Sequence, residues 1–186
     1  MNSSDVVYFY DKETEFIKKE HVCLNNFEPS PFTDEKGQKF LSVEHYYQCH
    51  KFDNFQDGEE FKKAFEEVLH AENSDICKKT ARRLTKEDLK DKWQEKKWEG
   101  GYKDYIMKRG LCFKFSQHLD MLKILIETGD KKLVERSEKD PYWGGFLEGS
   151  LNKLGNMLME IRENYKKTKT IFIDGSDLQP IKVELN

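Results

Sequence analysis

The sequence predicts an α+β fold that is mostly helical, formed by one domain with a small β-sheet. Its 186 residues suffice for a single domain with a sizeable core. Beyond residue 42, apolar side chains recur at helical intervals in several segments, which predicts amphipathic helices. Short apolar runs near the two ends, and another at residues 133–134, are typical of strands and predict the sheet.

The N-terminal part of the chain supplies most of the predicted strands. They are expected where short apolar runs occur, at residues 6–9, 21–24 and 40–41. Pro29 and Pro31 forbid a helix between the second and third runs and keep the backbone extended. Residues 33–39 contain Gly37 and predict a hairpin turn, from which the chain returns as the third strand.

Helices are predicted where apolar residues have helical spacing, at residues 42–52, 59–70, 74–84, 102–113, 119–126 and 151–165. Thr85 has the pattern of a further helix start. Gly100 and Gly101 break the helical pattern, and Gly129 suits a C-terminal cap. Gly110 lies inside a predicted helix, where glycine costs about 1 kcal/mol relative to alanine.

The C-terminal part of the chain predicts two further β elements. Residues 132–136 predict a strand. Beyond the last helix, apolar runs at 171–173 and 181–183 flank the turn dipeptide Asp174-Gly175, which is a hairpin pattern. We therefore expect a domain at residues 1–167 and a C-terminal extension at residues 168–186 with the pattern of a β-hairpin.

Composition disfavours several functional classes. A net charge of −3 and a pI of about 6.0 argue against non-specific binding to long nucleic acids as the main role. The sequence has no apolar run of about 18 residues, which a membrane span requires, and its first residues lack the basic region of a signal peptide. The four cysteines form no C-x-x-C pair, so we expect reduced thiols in a cytoplasmic protein.

Residues 42–52 contain the most informative polar pattern in the chain. On a helix, Glu44, Gln48 and Lys51 share one face, beside a face of aromatic residues, and Ser42 can cap the helix. A polar stripe between aromatic-rich segments indicates a site. The alternative is a surface ion pair that contributes little to stability.

Several other residues whose side chains could carry chemistry each admit two interpretations. His45 and Cys49 could belong to a metal site or a nucleophilic pair, but two ligands are too few for zinc and a small buried thiol is the commoner role. Asp140 and Trp143 could form a ligand-binding loop, or begin a turn and fill the core. The positive charges that could bind a phosphate, or simply cover a solvated helix face, are Lys51, Lys78, Arg82 and Arg83.

A series of short motifs then appears in a fixed order along the chain. It comprises Asn26-Phe27 with residues 29–32, residues 43–52 (V-E-H-Y-Y-Q-C-H-K-F), residues 78–82 (K-K-T-A-R), Trp93, Met107 with Lys114-Phe115, residues 128–135 (T-G-D-K-K-L-V-E), and Asp140 with Trp143-Gly144 and residues 152–155 (N-K-L-G). In composition and order this series resembles the YbiA-like, or NADAR, family of N-glycosidases over residues 22–162.

The resemblance implies a YbiA-like domain that cleaves the bond between ribose and a nitrogen base, with no cofactor and no metal. Its substrate would be a small ribosylated molecule such as a riboflavin-pathway intermediate, or ADP-ribosylated guanine, including such a base in a nucleic acid. Glu44 and Asp140 would be the catalytic acids and would meet in one pocket. The implied substrate-binding residues are Asn26, Phe27, Tyr47, Gln48, Lys51, Lys78, Arg82, Trp93, Trp143, Gly144 and Asn152.

This chain departs from the family pattern at a few positions, and two rival functions remain open. Asn25, Cys77, Ala81 and residues 146–148 replace the residues expected there, and the departures at Ala81 and at residues 146–148 bear on substrate preference. One rival is a non-catalytic module that binds ADP-ribose or a related nucleotide. The other is an adaptor protein in which these residues only pack or face solvent.

Overall fold

The computed structural model describes residues 5–53, 58–171 and 180–185. They divide into two compact units, which are described separately. The central unit is Pro29–Gly110, and the terminal unit is the described part of Met1–Glu28 and Leu111–Asn186. The prediction of a mostly helical α+β fold is confirmed.

The strands are β1 (Val6–Phe9), β2 (Phe32–Thr33), β3 (Lys39–Phe40), β4 (Lys132–Glu135), β5 (Thr170–Ile171) and β6 (Ile181–Lys182). The α-helices are α1 (Val43–Cys49), α2 (Glu59–Leu69), α3 (Ser74–Arg83), α4 (Glu95–Lys97), α5 (Lys103–Gln117), α6 (Leu119–Glu127) and α7 (Lys153–Thr168). A 3₁₀ helix spans Lys19–Leu24, and π-helical turns span Leu84–Asp88 and Trp98–Tyr102.

The β structure of the described residues is distributed over three two-stranded sheets instead of one small sheet. In the terminal unit, β1 pairs in parallel with β4, from Val6 opposite Lys132 to Phe9 opposite Glu135. In the central unit, β2 and β3 form the predicted antiparallel hairpin. Strands β5 and β6 also pair antiparallel. The predicted turn residues Asp174 and Gly175 lie outside the described residues, and the domain boundary at residue 167 stays a prediction.

The strand predicted at residues 21–24 is wrong, because these residues belong to the 3₁₀ helix Lys19–Leu24. Cys23 and Leu24 are both buried although they are adjacent, whereas side chains in a strand alternate between faces. The Cys23 thiol also donates to the carbonyl of Glu20, a contact three residues back that suits a helical turn. An apolar run of four residues cannot distinguish these two structures by its spacing.

Two predicted helix starts are also corrected by the structure. Thr85 does not begin a new helix, because α3 continues into the turn at Leu84–Asp88 and the Thr85 hydroxyl donates back to the carbonyl of Ala81 at 3.0 Å. The last long helix begins at Lys153, two residues later than predicted, which leaves Leu151 exposed.

Gly110 has a packing role that its sequence context did not reveal. A Cβ at this position of α5 would lie 3.0 Å from Cδ1 of Tyr46 and 3.1 Å from Cγ1 of Val43. The glycine therefore allows α5 to approach α1 closely within the central unit, which explains why a poor helix former is found there.

All four cysteines are buried free thiols. Among the described residues, no helix is both long enough and apolar enough to cross a membrane.

Gly155→Ala tests how closely α7 packs on β4. The added Cβ would lie 2.2 Å from the backbone oxygen of Leu133, which is too close for any atom pair without a shift of the backbone. We expect the free energy of unfolding, measured by urea denaturation, to fall by about 2–3 kcal/mol.

Gly100→Ala is the matched control. A Cβ there meets no atom within 4 Å, and the backbone φ of −72° suits any residue. Its free energy of unfolding should stay within about 0.5 kcal/mol of the wild-type value. Equal stability of the two variants would contradict the close contact between α7 and β4.

Candidate functional site

Helix α1 is capped as predicted, and it is buried over its whole length. The Ser42 hydroxyl accepts a hydrogen bond from the backbone N–H of His45 at 3.0 Å, and it lies 2.7 Å from the hydroxyl of Ser74. Every residue from Val43 to Cys49 is buried. The polar stripe predicted on this helix is therefore not a solvated surface, and the interpretation as a surface ion pair fails for Glu44 and Gln48.

Glu44 and Gln48 form a hydrogen-bonded pair inside the central unit. Nε2 of Gln48 donates to Oε1 of Glu44 at 2.8 Å, and each residue is only 3% exposed. The other amide atom, Oε1 of Gln48, is buried and has no hydrogen-bond partner among the described residues. A buried acceptor of this kind is costly unless another molecule supplies a donor, so it is a place where a ligand can bind.

Lys51 follows one turn later and lies beside two aromatic rings. Its Nζ is 5.7 Å from the ring centre of Tyr47 and 5.8 Å from that of Trp98, within the range of cation–π attraction. Burial lowers the pKa of Lys51 to about 8; Lys78 acts in the same direction, and Glu44 opposes it. Lys51 therefore changes its charge close to physiological pH.

Trp98 is the residue of this cluster that sequence reasoning missed. It is buried, its ring centre lies 5.0 Å from that of Tyr47, and Trp93 packs beside it at 6.0 Å. The predicted Trp93 is half-buried and also contacts Phe52 at 6.1 Å. Two tryptophans five residues apart were visible in the sequence, but the motif series matched only the first of them. We call Glu44, Tyr47, Gln48, Lys51 and Trp98 the α1 cluster.

The basic residues of α3 have different surroundings. Lys78 and Arg82 are exposed and lie one helical turn apart, so they share a face. Arg83 instead forms ion pairs with Glu67 and Asp88. Of these three residues, Lys78 and Arg82 are the ones that fit the interpretation as phosphate contacts.

His45 and Cys49 do not form a nucleophilic pair. Nδ1 of His45 accepts from the backbone N–H of Leu41 at 3.0 Å, so Nε2 carries the proton, and it donates to the carbonyl of Val68 at 3.1 Å. Burial and the neighbouring Cys77 raise the pKa of the Cys49 thiol. Both side chains are structural, and the described residues contain no group of three His, Cys, Asp or Glu that could hold a metal.

In the terminal unit, Asp140 organises a loop at residues 140–145, which we call the Asp140 loop. Its Oδ1 accepts from the backbone N–H groups of Tyr142 and Trp143, each at 3.0 Å, and its own N–H donates to the Ser137 hydroxyl at 3.1 Å. This is an Asx turn, as one of the two interpretations predicted. Asp140 and Trp143 are nevertheless half-buried, so both keep surface that a ligand can reach.

Gly144 and Asn152 support this loop within the terminal unit. A Cβ at Gly144 would lie 2.7 Å from the backbone oxygen of Asp140, so only glycine fits. The amide of Asn152 donates to the carbonyl of Leu133 at 2.8 Å and accepts from the N–H of Glu135 at 3.3 Å. These contacts give Gly144 and Asn152 structural roles, and their predicted binding of substrate stays a prediction.

Asn26 and Phe27 lie after the 3₁₀ helix of the terminal unit. Asn26 is buried and Phe27 is half-buried, and the N–H of Phe27 donates to Oδ1 of Asn25 at 3.0 Å. The structure thus groups the predicted residues into the α1 cluster of the central unit and the Asp140 loop and Asn26 segment of the terminal unit. That Glu44 and Asp140 act in one pocket stays a prediction.

Comparisons with known proteins identify relatives over most of the chain. A model of the NADAR domain family matches residues 8–166. An N-glycosidase of Nostoc punctiforme is 30% identical over 161 residues, which cover 86% of this chain and 92% of that protein. The N-glycosidase YbiA of Escherichia coli K12 is 32% identical over 141 residues, which cover 75% of this chain and 79% of YbiA.

Two further similarities concern a longer protein and a solved structure. A riboflavin biosynthesis protein of Vibrio vulnificus is 33% identical over 162 residues, which cover 87% of this chain but only 39% of that protein. The NMR structure of E. coli YbiA matches with a TM-score of 0.70 and 29% sequence identity, over 89% of this chain and 88% of that one.

Proposed function

Because the chain belongs to the NADAR domain family, we propose that it is an N-glycosidase that hydrolyses the bond between a ribose and a nitrogen base or amine. In this reaction water adds to the anomeric carbon, the carbon–nitrogen bond breaks, and the leaving nitrogen takes up a proton. The observation that carries the proposal is the buried Glu44 carboxylate, which is held by Gln48, with Lys51 three residues beyond Gln48.

Glu44 has the surroundings that this chemistry requires. As the carbon–nitrogen bond breaks, positive charge develops on the sugar, and a carboxylate stabilises it most strongly where water is excluded. Glu44 is buried, and the amide of Gln48 fixes one of its two oxygens. A module that only binds nucleotides has no need of a buried carboxylate, which favours catalysis over the rival binding function.

We assign two roles to the acids Glu44 and Asp140: stabilisation of the sugar cation, and acid–base transfer of protons to or from water and the leaving base. Asp140 uses Oδ1 to hold its own loop, which orients the carboxylate. Each role is of a kind that contributes about 10²–10⁴-fold in other enzymes. The assignment requires both carboxylates to act on one substrate, and the Glu44 substitution described below tests the role of Glu44 through activity.

The remaining residues are proposed to bind the substrate. Lys51 supplies a positive charge to the departing base, and its ammonium lies beside the rings of Tyr47 and Trp98. Trp143 and Trp93 offer partly exposed rings that can stack on a flat base. The proposed contacts to ribose and phosphate are Asn26, Phe27, Gln48, Lys78 and Arg82.

The same groups, together with the similarity to a riboflavin biosynthesis protein, support a substrate class. Lys78 and Arg82 expose two cations on one helix face, which suits a substrate with a phosphate. We propose a ribosylamino-pyrimidine phosphate of the riboflavin pathway as the substrate, in a cytoplasmic setting. ADP-ribosylated guanine, free or in a nucleic acid, has the same bond and a diphosphate, and it is the second member of the class to be tested.

The proposed activity is tested by incubating the protein separately with a ribosylamino-pyrimidine phosphate and with ADP-ribosylated guanine. Mass spectrometry should detect a free base or amine and a free sugar phosphate in at least one mixture. The substrate with the larger kcat/KM identifies the preferred class. If both substrates remain uncleaved after prolonged incubation, the proposed function is contradicted.

Glu44→Gln should lower kcat on the order of 10²–10⁴-fold and leave the fold intact. The new amide keeps the volume of the side chain, and Gln48 can rotate its own amide so that its unpartnered oxygen accepts from it. Activity and urea denaturation are measured side by side.

Glu59→Gln is the matched control for this substitution. Glu59 is an exposed acid at the start of α2 and lies 3.6 Å from Lys62. Its loss should leave kcat unchanged. Full activity in Glu44→Gln would show that Glu44 is not the catalytic acid.

The rate should also depend on the charge of Lys51. Its ammonium is present below its pKa of about 8 and is lost as the pH rises through that value, so kcat/KM should be level near pH 7 and fall above pH 8. Lys51→Arg keeps a positive charge throughout this range and should remove the fall, which a pH–rate profile of both proteins measures.

This substitution is needed because a second lysine, Lys114, has a pKa of about 8 and titrates in the same range. A fall above pH 8 that persists unchanged in Lys51→Arg would assign the titration to a group other than Lys51.

A further inference from the structure

Lys114 is an unusual side chain in the terminal unit, because it is a lysine with no exposed surface at all. Its ammonium donates to the backbone carbonyl of Cys23 at 2.7 Å and to that of Asn25 at 2.8 Å. Both acceptors are neutral carbonyls. They offset less of the free energy lost when an ammonium is removed from water than a carboxylate partner would. A side chain kept at such a cost is expected to serve more than packing.

The two carbonyls lie where the chain leaves a helix. Cys23 belongs to the 3₁₀ helix Lys19–Leu24, and Asn25 is the residue that ends it, with extended backbone angles. Carbonyls at a helix end lack the N–H groups of a following turn and need other donors. Lys114 reaches them from α5, and a lysine suits this task because one long unbranched side chain ends in three donors.

The same segment continues directly into Asn26 and Phe27. Asn25 is held by Lys114 through its backbone, and its own side chain accepts from the N–H of Phe27 at 3.0 Å. Asn26 therefore lies between two residues whose positions are fixed by hydrogen bonds, and its side chain is buried.

We propose that Lys114 is a positioning residue of the N-glycosidase: by holding the carbonyls of Cys23 and Asn25, it fixes the segment that presents Asn26 and Phe27 to the ribose or its phosphate. The inference rests on the proposed function and adds to it a residue that does not touch the substrate. Its side chain acts through the Asn26 segment alone.

Hydrogen bonding, more than charge, is what the segment requires from Lys114. Burial lowers the pKa of Lys114 to about 8, and the carboxylate of Glu28 opposes this shift. Burial raises the pKa of the Cys23 thiol to about 11, and Glu28 and Asp120 add to this, so Cys23 stays neutral near pH 8. A neutral amine still has N–H donors, and the contacts to the two carbonyls can persist above pH 8.

The test compares Lys114→Met with Lys114→Gln in the full chain. Methionine has a similar length and no donor, whereas glutamine keeps an uncharged N–H₂ group that can reach one carbonyl. With the N-riboside found to be hydrolysed by the wild type, Lys114→Met should raise KM on the order of 10–100-fold with little change in kcat. Lys114→Gln should recover part of this loss.

Two further measurements separate positioning from loss of folding. An unfolded fraction lowers the apparent kcat and leaves KM unchanged, and urea denaturation reports that fraction directly. Hydrogen exchange at the Phe27 amide should accelerate in Lys114→Met and less so in Lys114→Gln. Lys123→Met, which removes an exposed lysine on α6 that lies 4.0 Å from Glu127, is the matched control and should change none of these quantities.

The inference is overturned if Lys114→Met keeps the wild-type KM and the wild-type exchange rate at Phe27. It is also overturned if the loss falls in kcat alone and follows the unfolded fraction. Should Lys114→Met fail to fold, the same criteria apply to Lys114→Gln. A wild type that hydrolyses neither N-riboside overturns the proposed function and this inference with it, whereas an active wild type with unaffected Lys114 variants overturns the inference alone.

Discussion

The requirement that governs the central unit is that a polar helix, buried from Val43 to Cys49, must satisfy its polar groups inside the protein. Ser42 caps the helix, and Gln48 binds Glu44. The ring of His45 binds the backbone N–H of Leu41 before the helix and the backbone carbonyl of Val68 in α2. Because these partners are internal, the helix can hold a carboxylate away from water. Within the described part of the chain, Oε1 of Gln48 is the side-chain polar atom of this helix that is buried without a hydrogen-bond partner, and it lies next to Glu44.

A second set of contacts holds the opposite side of α1 in place. Nε of Arg109 donates to the Tyr46 hydroxyl at 3.1 Å, and the same guanidinium forms an ion pair with Glu35. Gly110 brings α5 against Tyr46, and burial lowers the pKa of the neighbouring His50 to about 4, so its ring is neutral at physiological pH. A helix held this firmly keeps Glu44 in one position, and preorganised charge of this kind is what lowers reaction barriers.

Much of the fold could be predicted from local patterns, and the failures have physical causes. Helical spacing identified the long helices, and the capping preference of serine identified the start of α1. The strand at residues 21–24 was wrong because four apolar residues carry no reliable period. For the candidate site, residue types pointed to Glu44 and Lys51, whereas Trp98 was not recognised and Lys114 entered only as part of the motif series, with no role of its own. An isolated tryptophan usually indicates core and a lysine usually indicates solvent, so only the tertiary contacts reveal their roles.

Lys51 and Lys114 show why a shifted pKa alone does not define a role. Burial lowers the pKa of both to about 8. Lys51 keeps some exposed surface, and its ammonium lies beside the rings of Tyr47 and Trp98, two residues beyond the end of the helix that carries Glu44. Lys114 has no exposed surface, and its donors end on two backbone carbonyls. The same loss of hydration therefore accompanies an ammonium beside two aromatic rings in one case and an ammonium bonded to backbone carbonyls in the other, so the surroundings of each lysine distinguish them and the pKa does not.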